Sequence, residues 1–174
     1  MILVYLLLRL TGRLPLRVLH RIGSALGQLV LKRNNRTVQN TAVNLRLVRP
    51  ELDDAAQARL LREVMIESGK SVVELAKIWG GGAERALGLI REVRGEALLD
   101  AALATGQGVI VAAPHLGCWE LLNYWLCRKT PMAILYRPPR VAAVEGLLRK
   151  VRGALAPEQV RALRAGAGTV QHGH

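Results

Sequence analysis

The strongest constraint on the fold lies in residues 106–125, GQGVIVAAPHLGCWELLNYW, where an apolar run meets a turn and then a helical pattern. Residues 109–113 form a short, uncharged, partly β-branched run between glycine and proline, which is typical of a central buried strand. After the flexible Gly117, residues 119–125 are expected to open a helix. A strand, a turn and a helix in succession predict an α/β fold.

The preceding part of the chain supports the same fold class. Apolar residues at helical spacing follow Pro50, which is expected to end one helix before acidic residues open the next. The glycine run at 80–82 breaks this pattern, and residues 89–93 are predicted to be a short strand. Residues 95–105 are predicted to be a small helix.

Charge is distributed unevenly along this chain of net charge +12: the first 50 residues contain nine Lys or Arg and no Asp or Glu. Four arginines are spaced four residues apart and therefore share one helical stripe, Arg9, Arg13, Arg17 and Arg21. Leu and Val fill the other faces, and Pro15 is expected to kink or restart the helix. The pattern predicts that residues 1–31 lie in the interface of an anionic membrane.

Other interpretations of this basic segment stay open. It can be an amphipathic helix docked on its own domain, or its anionic partner can be nucleic acid, although aromatic residues for base stacking are scarce. The opening MILVYLLLRL is too short for an unaided transmembrane helix and lacks the features of a signal peptide. With Cys118 and Cys127 as the only cysteines, a reducing compartment is expected.

His115 stands where the predicted buried strand ends and the predicted helix begins, the place where open α/β sheets bind ligands. Glu120 falls in the first helical turn, where its carboxylate can meet the imidazole. Such an imidazole removes a proton from a hydroxyl while the carboxylate orients the ring. The alternatives are a structural histidine that caps the helix, a Cys/His hydrolase using Cys118, and a metal site formed by His115, Cys118, His172 and His174.

Four blocks occur in the same order as in a known family. PHLGCWELL resembles the His-x4-Asp/Glu motif of the glycerolipid acyltransferase superfamily, in the HFGNWE form of bacterial lipid A biosynthesis acyltransferases. NNRTVQNTAVNLRLVRPEL, ATGQGVIVAAPHLGCWE and AILYRPPR resemble further blocks of those enzymes. The resemblance covers about residues 30–150.

The resemblance implies a fold and an activity. The fold is α/β, with a central mixed sheet flanked by helices in residues 32–174 and a membrane-associated helix in residues 1–31. The activity is transfer of a fatty acyl chain from acyl carrier protein to a hydroxyl of a lipid A precursor, at the cytoplasmic face of the bacterial inner membrane. No metal and no cofactor is implied beyond the acyl carrier protein donor.

The resemblance also implies roles for individual residues. His115 is the general base on the acceptor hydroxyl, and Glu120 orients it. Arg137, next to Tyr136 in the Tyr-Arg-Pro block, contacts the phosphate or sugar of the acceptor. Gly117 and Trp119, within the motif, complete the expected substrate-binding set.

The sequence departs from the family pattern in two ways. Leu116 and Cys118 replace the usual Phe and Asn of the motif, and the family-like texture ends near Arg161. The second departure leads us to expect a truncated or frameshifted copy whose sheet lacks its last strands. A different membrane acceptor (an ornithine lipid, a lysophospholipid or a glycolipid) and an inactive membrane-bound remnant are the alternative functions.

Overall fold

The structure is a computed structural model that describes residues 2–136 and 160–164, with side chains described for residues 6–134. Contacts between Cα atoms divide the chain into two compact units, Met1–Gly81 and Gly82–His174. Helices account for most of the described residues of the first unit and for fewer than half of those of the second.

The first unit consists of four helices. They are α1 (Ile2–Arg13), α2 (Leu16–Arg33), α3 (Arg36–Val48) and α4 (Asp54–Gly81). The predicted breaks are confirmed: Pro15 separates α1 from α2, Pro50 follows the end of α3, and α4 ends within the glycine run. Proline has no amide hydrogen to continue a helix, so these boundaries follow from local chemistry alone.

Side chains cap the starts of two of these helices. The Asn35 Oδ1 accepts a hydrogen bond from the Val38 amide at 3.2 Å, just before α3. The Asp53 Oδ1 accepts one from the Ala56 amide at 2.7 Å, just before α4. Each cap satisfies an amide that has no partner within the helix and stabilises the helix by about 1 kcal/mol.

Helix α4 is the centre of the first unit and packs against α1 and α2 through glycines. We call this contact the glycine seam; it comprises Gly12, Gly23 and Gly27 on α1 and α2, and Gly69 and Gly80 on α4. A Cβ added at Gly69 would lie 2.1 Å from the Gly23 carbonyl oxygen, and one at Gly80 would lie 1.5 Å from the Leu8 carbonyl oxygen. The backbones therefore touch directly, at distances that no side chain can occupy.

Polar side chains cross the same interface beside the glycine seam. The Thr11 hydroxyl donates to a carbonyl of α4 at 3.1 Å, and the Lys77 ammonium donates to the Leu14 carbonyl, near the end of α1, at 2.7 Å. The His20 Nε2 and the Glu74 Oε1 lie 2.7 Å apart. These contacts satisfy polar groups between the helices and fix the register of α1 and α2 on α4.

The glycine seam leaves large apolar side chains on the outside of α1 and α2. Leu19 is buried, with 1% of its surface exposed, but seven others are exposed by 39% or more: Leu6, Leu7, Leu10, Val18, Ile22, Leu26 and Leu29. We call these seven the apolar face. The four stripe arginines are exposed as well. In the part of the chain that the structure describes, no helix has both the length and the apolar content needed to cross a bilayer.

The second unit contains three helices and two strands among the described residues. They are α5 (Ala83–Leu87), α6 (Glu96–Ala104), α7 (Trp119–Lys129), β1 (Met132–Tyr136) and β2 (Val160–Arg164). The strands pair in parallel, with Met132 opposite Val160 and Tyr136 opposite Arg164. The predicted helix at 95–105 is confirmed as α6.

The predicted central mixed sheet flanked by helices is wrong for the described residues, which are mainly helical and pair only two short strands. Residues 109–113, predicted to be a buried central strand, are exposed and not in a strand, and Ile110 is 99% exposed. Residues 89–93 are likewise not a strand. A β-branched run forms a stable strand only when neighbours pair with it and cover its faces, and the described residues provide none here.

The glycine seam predicts that an alanine substitution lowers the stability of the protein, although alanine favours helix formation. Alanine forms helices better than glycine by about 1 kcal/mol, so Gly69→Ala would stabilise an isolated α4. In the folded protein, the new methyl group would collide with the Gly23 carbonyl of α2. We therefore expect the free energy of unfolding to fall by about 1–3 kcal/mol, as for other overpacked contacts. Chemical denaturation monitored by circular dichroism measures the change.

Gly88→Ala is the matched control. Gly88 follows α5 with φ of −63°, and an added Cβ would lie 3.5 Å from its nearest neighbour, which is ordinary contact. We expect this variant to be unchanged or to gain up to about 1 kcal/mol. Equal gains in both variants would show that α2 and α4 do not meet at Gly69.

Candidate functional site

The candidate site is built around the turn that leads into α7. Gly117 has φ of +58° with no atom within 4 Å of an added Cβ, so the backbone conformation rather than crowding requires glycine there. Cys118 occupies the N-cap position, and α7 starts with Trp119. The turn thus places the motif residues at the amino-terminal end of a helix, where free amide groups carry partial positive charge.

His115 lies on the surface of this turn, against an aromatic side chain. Its ring centroid is 4.7 Å from that of Trp119, with the two planes inclined by 56°. Tilted arrangements at this separation are favourable for aromatic rings. The contact holds the imidazole beside the first turn of α7 while leaving the residue exposed to an incoming reactant.

Glu120, by contrast, is completely buried, with 0% of its surface exposed. The Asn123 side-chain amide, one turn later on α7, donates a hydrogen bond to the Glu120 Oε2 at 3.2 Å. Burial of a carboxylate is costly unless hydrogen bonds compensate it, so the interior of the second unit holds this group in a defined orientation. The predicted contact between His115 and Glu120 stays a prediction.

Cys127 is buried on the same helix as Glu120. Burial raises the pKa of the Cys127 thiol, and the negative charge of Glu120 raises it further. The thiolate is the nucleophilic form of cysteine, so Cys127 is poorly suited to nucleophilic catalysis near neutral pH. Cys118 is only partly buried. The alternative of a Cys/His hydrolase that uses Cys118 stays a prediction.

An apolar cavity of about 480 Å³ is lined by Cys118 and by residues of α7 and α6. Its apolar lining comes from α6, α7 and the segments that precede them: Ile90, Leu99, Val111, Leu121, Leu122 and Trp125. Glu92, Arg94 and Glu96 contribute polar groups to the wall. The volume and the mainly apolar lining with few polar groups are typical of sites for small molecules.

The structure brings some of the predicted site residues together and does not describe the others. His115 and Trp119 are in contact, and Gly117 forms the turn between them. Tyr136 is the last residue of β1, and its side chain lies outside the described part of the structure. Arg137, His172 and His174 also lie outside the described residues. Among the residues that the structure does describe, no cluster of three or more His, Cys, Asp or Glu could hold a metal ion.

Sequence reasoning missed the cavity and two residues of α7 that contribute to this region. Asn123 is three residues after Glu120, and Trp125 is four residues after Leu121, so each pair shares a face of a helix. This spacing is visible in the sequence. Which face of α7 is buried, and which residues of α6 line the same cavity, depends on contacts between separate segments.

Comparison with known families identifies the chain. The family described as bacterial lipid A biosynthesis acyltransferase matches residues 1–161, which include every block quoted above. A search of curated proteins finds no significant match. The match extends over most of the sequence and confirms the resemblance noted in the motif. The chain therefore belongs to the bacterial lipid A biosynthesis acyltransferase family, whose kind of function is acyl transfer in lipid A biosynthesis.

Proposed function

We propose that the protein transfers a fatty acyl chain from acyl carrier protein to a hydroxyl of a lipid A precursor, at the cytoplasmic face of the bacterial inner membrane. The observation that carries the proposal is the family match over residues 1–161, which includes the His115–Glu120 motif. No cofactor is required, because the thioester of the carrier protein supplies an activated acyl group.

In the proposed reaction, the imidazole of His115 takes the proton of the acceptor hydroxyl as its oxygen attacks the thioester carbonyl. A carbon–oxygen bond forms, the carbon–sulfur bond breaks, and the thiolate of the carrier leaves. The imidazolium then returns the proton to the thiolate. Glu120 stabilises the charged imidazole and orients it. The exposed position of His115 on a turn beside α7 supports this role.

The apolar cavity is the proposed site of the acyl chain. Its lining includes Cys118, three residues from His115, and Leu121, Leu122 and Trp125 of α7. Each methylene that leaves water for such a lining contributes about 0.8 kcal/mol, so a chain of several methylenes is bound strongly without any charged contact. This arrangement would place the acyl chain along α7 and its reactive carbonyl near the motif.

The protein is proposed to bind the membrane surface through α1 and α2 and to take its acceptor lipid from there. The apolar face of α1 and α2, together with the four stripe arginines, has the composition of an interfacial helix pair on an anionic leaflet. Members of this family are typically membrane-associated. Tyr136 and Arg137 are proposed to contact the phosphate or sugar of the acceptor. Gly117 and Trp119 would shape the site beside the reacting atoms.

Replacement of His115 tests the proposed chemistry. His115→Ala is expected to reduce acyl transfer by about 10² to 10⁴-fold, the usual range for loss of a general base. Transfer of radiolabelled acyl chains from acyl carrier protein to a lipid A precursor measures the rate. His20→Gln is the matched control, because it also removes a histidine, but one on α2 whose ring contacts Glu74 of α4 in the first unit.

Two results would change the proposal. Full activity of His115→Ala would refute the general-base role. The unchanged protein could instead be active only toward an ornithine lipid, a lysophospholipid or a glycolipid. That result would change the proposed acceptor and leave the proposed general-base mechanism as it is. No transfer with any donor or acceptor would favour the inactive membrane-bound remnant.

Cysteine labelling tests the acyl cavity without an activity assay. In a Cys127→Ala background, we expect a maleimide to label Cys118 and a saturated fatty acid to slow that labelling by filling the cavity. In a Cys118→Ser control, labelling of Cys127 is expected to be much slower, because burial raises the pKa of its thiol. Unchanged labelling of Cys118 at saturating fatty acid would rule out this cavity as the acyl site.

Vesicle binding tests the proposed membrane surface. Each arginine near an anionic leaflet contributes about 1 kcal/mol, so Arg17→Gln with Arg21→Gln should weaken binding about fivefold per residue. Co-sedimentation with vesicles containing anionic phospholipid, at low and high salt, measures the effect. Arg59→Gln with Arg62→Gln removes the same charge from exposed positions on α4. Equal losses in both double variants would attribute binding to net charge alone.

A further inference from the structure

Helix α6 forms one wall of the apolar cavity, although few of its contacts are with the core of the second unit. None of its side chains is fully buried, and Leu98 is largely exposed. Its contributions to the cavity are Glu96 and Leu99, with Gly95 just before its first residue. A wall with so little buried surface needs another attachment to keep a fixed position.

Lys129, at the end of α7, provides that attachment. Its ammonium forms an ion pair with Glu96 and donates to both carboxylate oxygens of Asp100, at 2.9 and 3.2 Å. The two acids are four residues apart on α6 and therefore face the same side of it. The Lys129 side chain is only 24% exposed and lies 5.6 Å from the ring centre of Trp125, a cavity residue.

The contacts of Lys129 also affect its titration. The hydrogen bond to Glu96, followed by that to Asp100, raises the pKa of the Lys129 ammonium. A raised pKa in the folded state means that the charged form is favoured by folding. The resulting stabilisation is complete below the ordinary lysine pKa of about 10.4 and is lost as the pH rises through the higher value in the folded protein. The attachment is therefore intact at neutral pH.

We propose that Lys129 is a positioning residue that holds α6 against α7 through Glu96 and Asp100, and thereby sets the width of the acyl cavity and its preference among chain lengths. The proposal rests on the assignment of the cavity to the acyl chain. Lys129 touches neither the substrate nor the reacting atoms. It acts through the wall formed by Glu96 and Leu99, and through the Trp125 ring on the opposite side.

The neighbouring residue provides a matched control. Arg128 also ends α7 and also forms an ion pair across the second unit, but its partner is Glu84 on α5. Neither Arg128 nor Glu84 lines the cavity. Arg128→Gln therefore removes one cation and one interhelical ion pair from the same end of α7 without releasing α6.

The experiment compares protection of Cys118 from maleimide by a series of saturated fatty acids of increasing length, using the full chain with Cys127→Ala. Lys129→Met keeps an unbranched side chain of similar length and removes the ammonium with its ion pairs. We expect its preference between adjacent even-numbered chains to change by about fourfold or more, since one buried methylene contributes about that factor. Lys129→Arg should retain the original profile, and Arg128→Gln should not alter it.

A second variant separates positioning from a general loss of stability. Glu96→Gln with Asp100→Asn removes the same ion pairs from the α6 side and should change the length profile as Lys129→Met does. A uniform loss of protection at every length, or a profile unchanged in both variants, would overturn the positioning role while leaving the acyl cavity in place. No protection by any fatty acid in the protein with Lys129 intact would overturn both.

Discussion

The first unit depends on direct contact between helix backbones. Glycines on α1 and α2 meet glycines on α4 so closely that a single methyl group could not be inserted. This contact turns the glycines of α1 and α2 toward α4 and leaves the seven side chains of the apolar face on the outside, while Leu19 is buried. Unlike an ordinary amphipathic helix, α1 and α2 therefore expose large apolar side chains as well as polar ones. The exposure of the apolar face follows from that seam.

In the second unit, one helix serves two purposes. The start of α7 carries the motif, with His115 on the preceding turn and Glu120 buried in the first helical turn. The rest of α7 supplies Leu121, Leu122 and Trp125 to the cavity. Because the His115 ring contacts Trp119 at the start of this helix, the proposed general base lies beside the same element that lines the proposed acyl cavity. Such preorganisation is what positions reactants for a direct transfer between them.

The sequence predicted the helices better than the strands, for a physical reason. Proline, glycine and capping side chains act locally, so the breaks at Pro15, Pro50 and the glycine run are confirmed. Residues 109–113 and 89–93 have strand-like composition, but a strand also needs partners from distant parts of the chain. Of the candidate site, the motif and its place before a helix could be predicted. The burial of Glu120 and the cavity could not.

The sequence by itself determined the family, the basic stripe without acidic residues, and the placement of His115 at the entrance to a helix. These features depend on residue identity and short spacing, which any chain with this order of residues retains. Only the tertiary structure decided that the glycines of α1 and α2 contact the backbone of α4, that residues 109–113 are exposed, and that Lys129 joins α6 to α7. Each of these depends on contacts between residues distant in sequence, which local propensity does not determine.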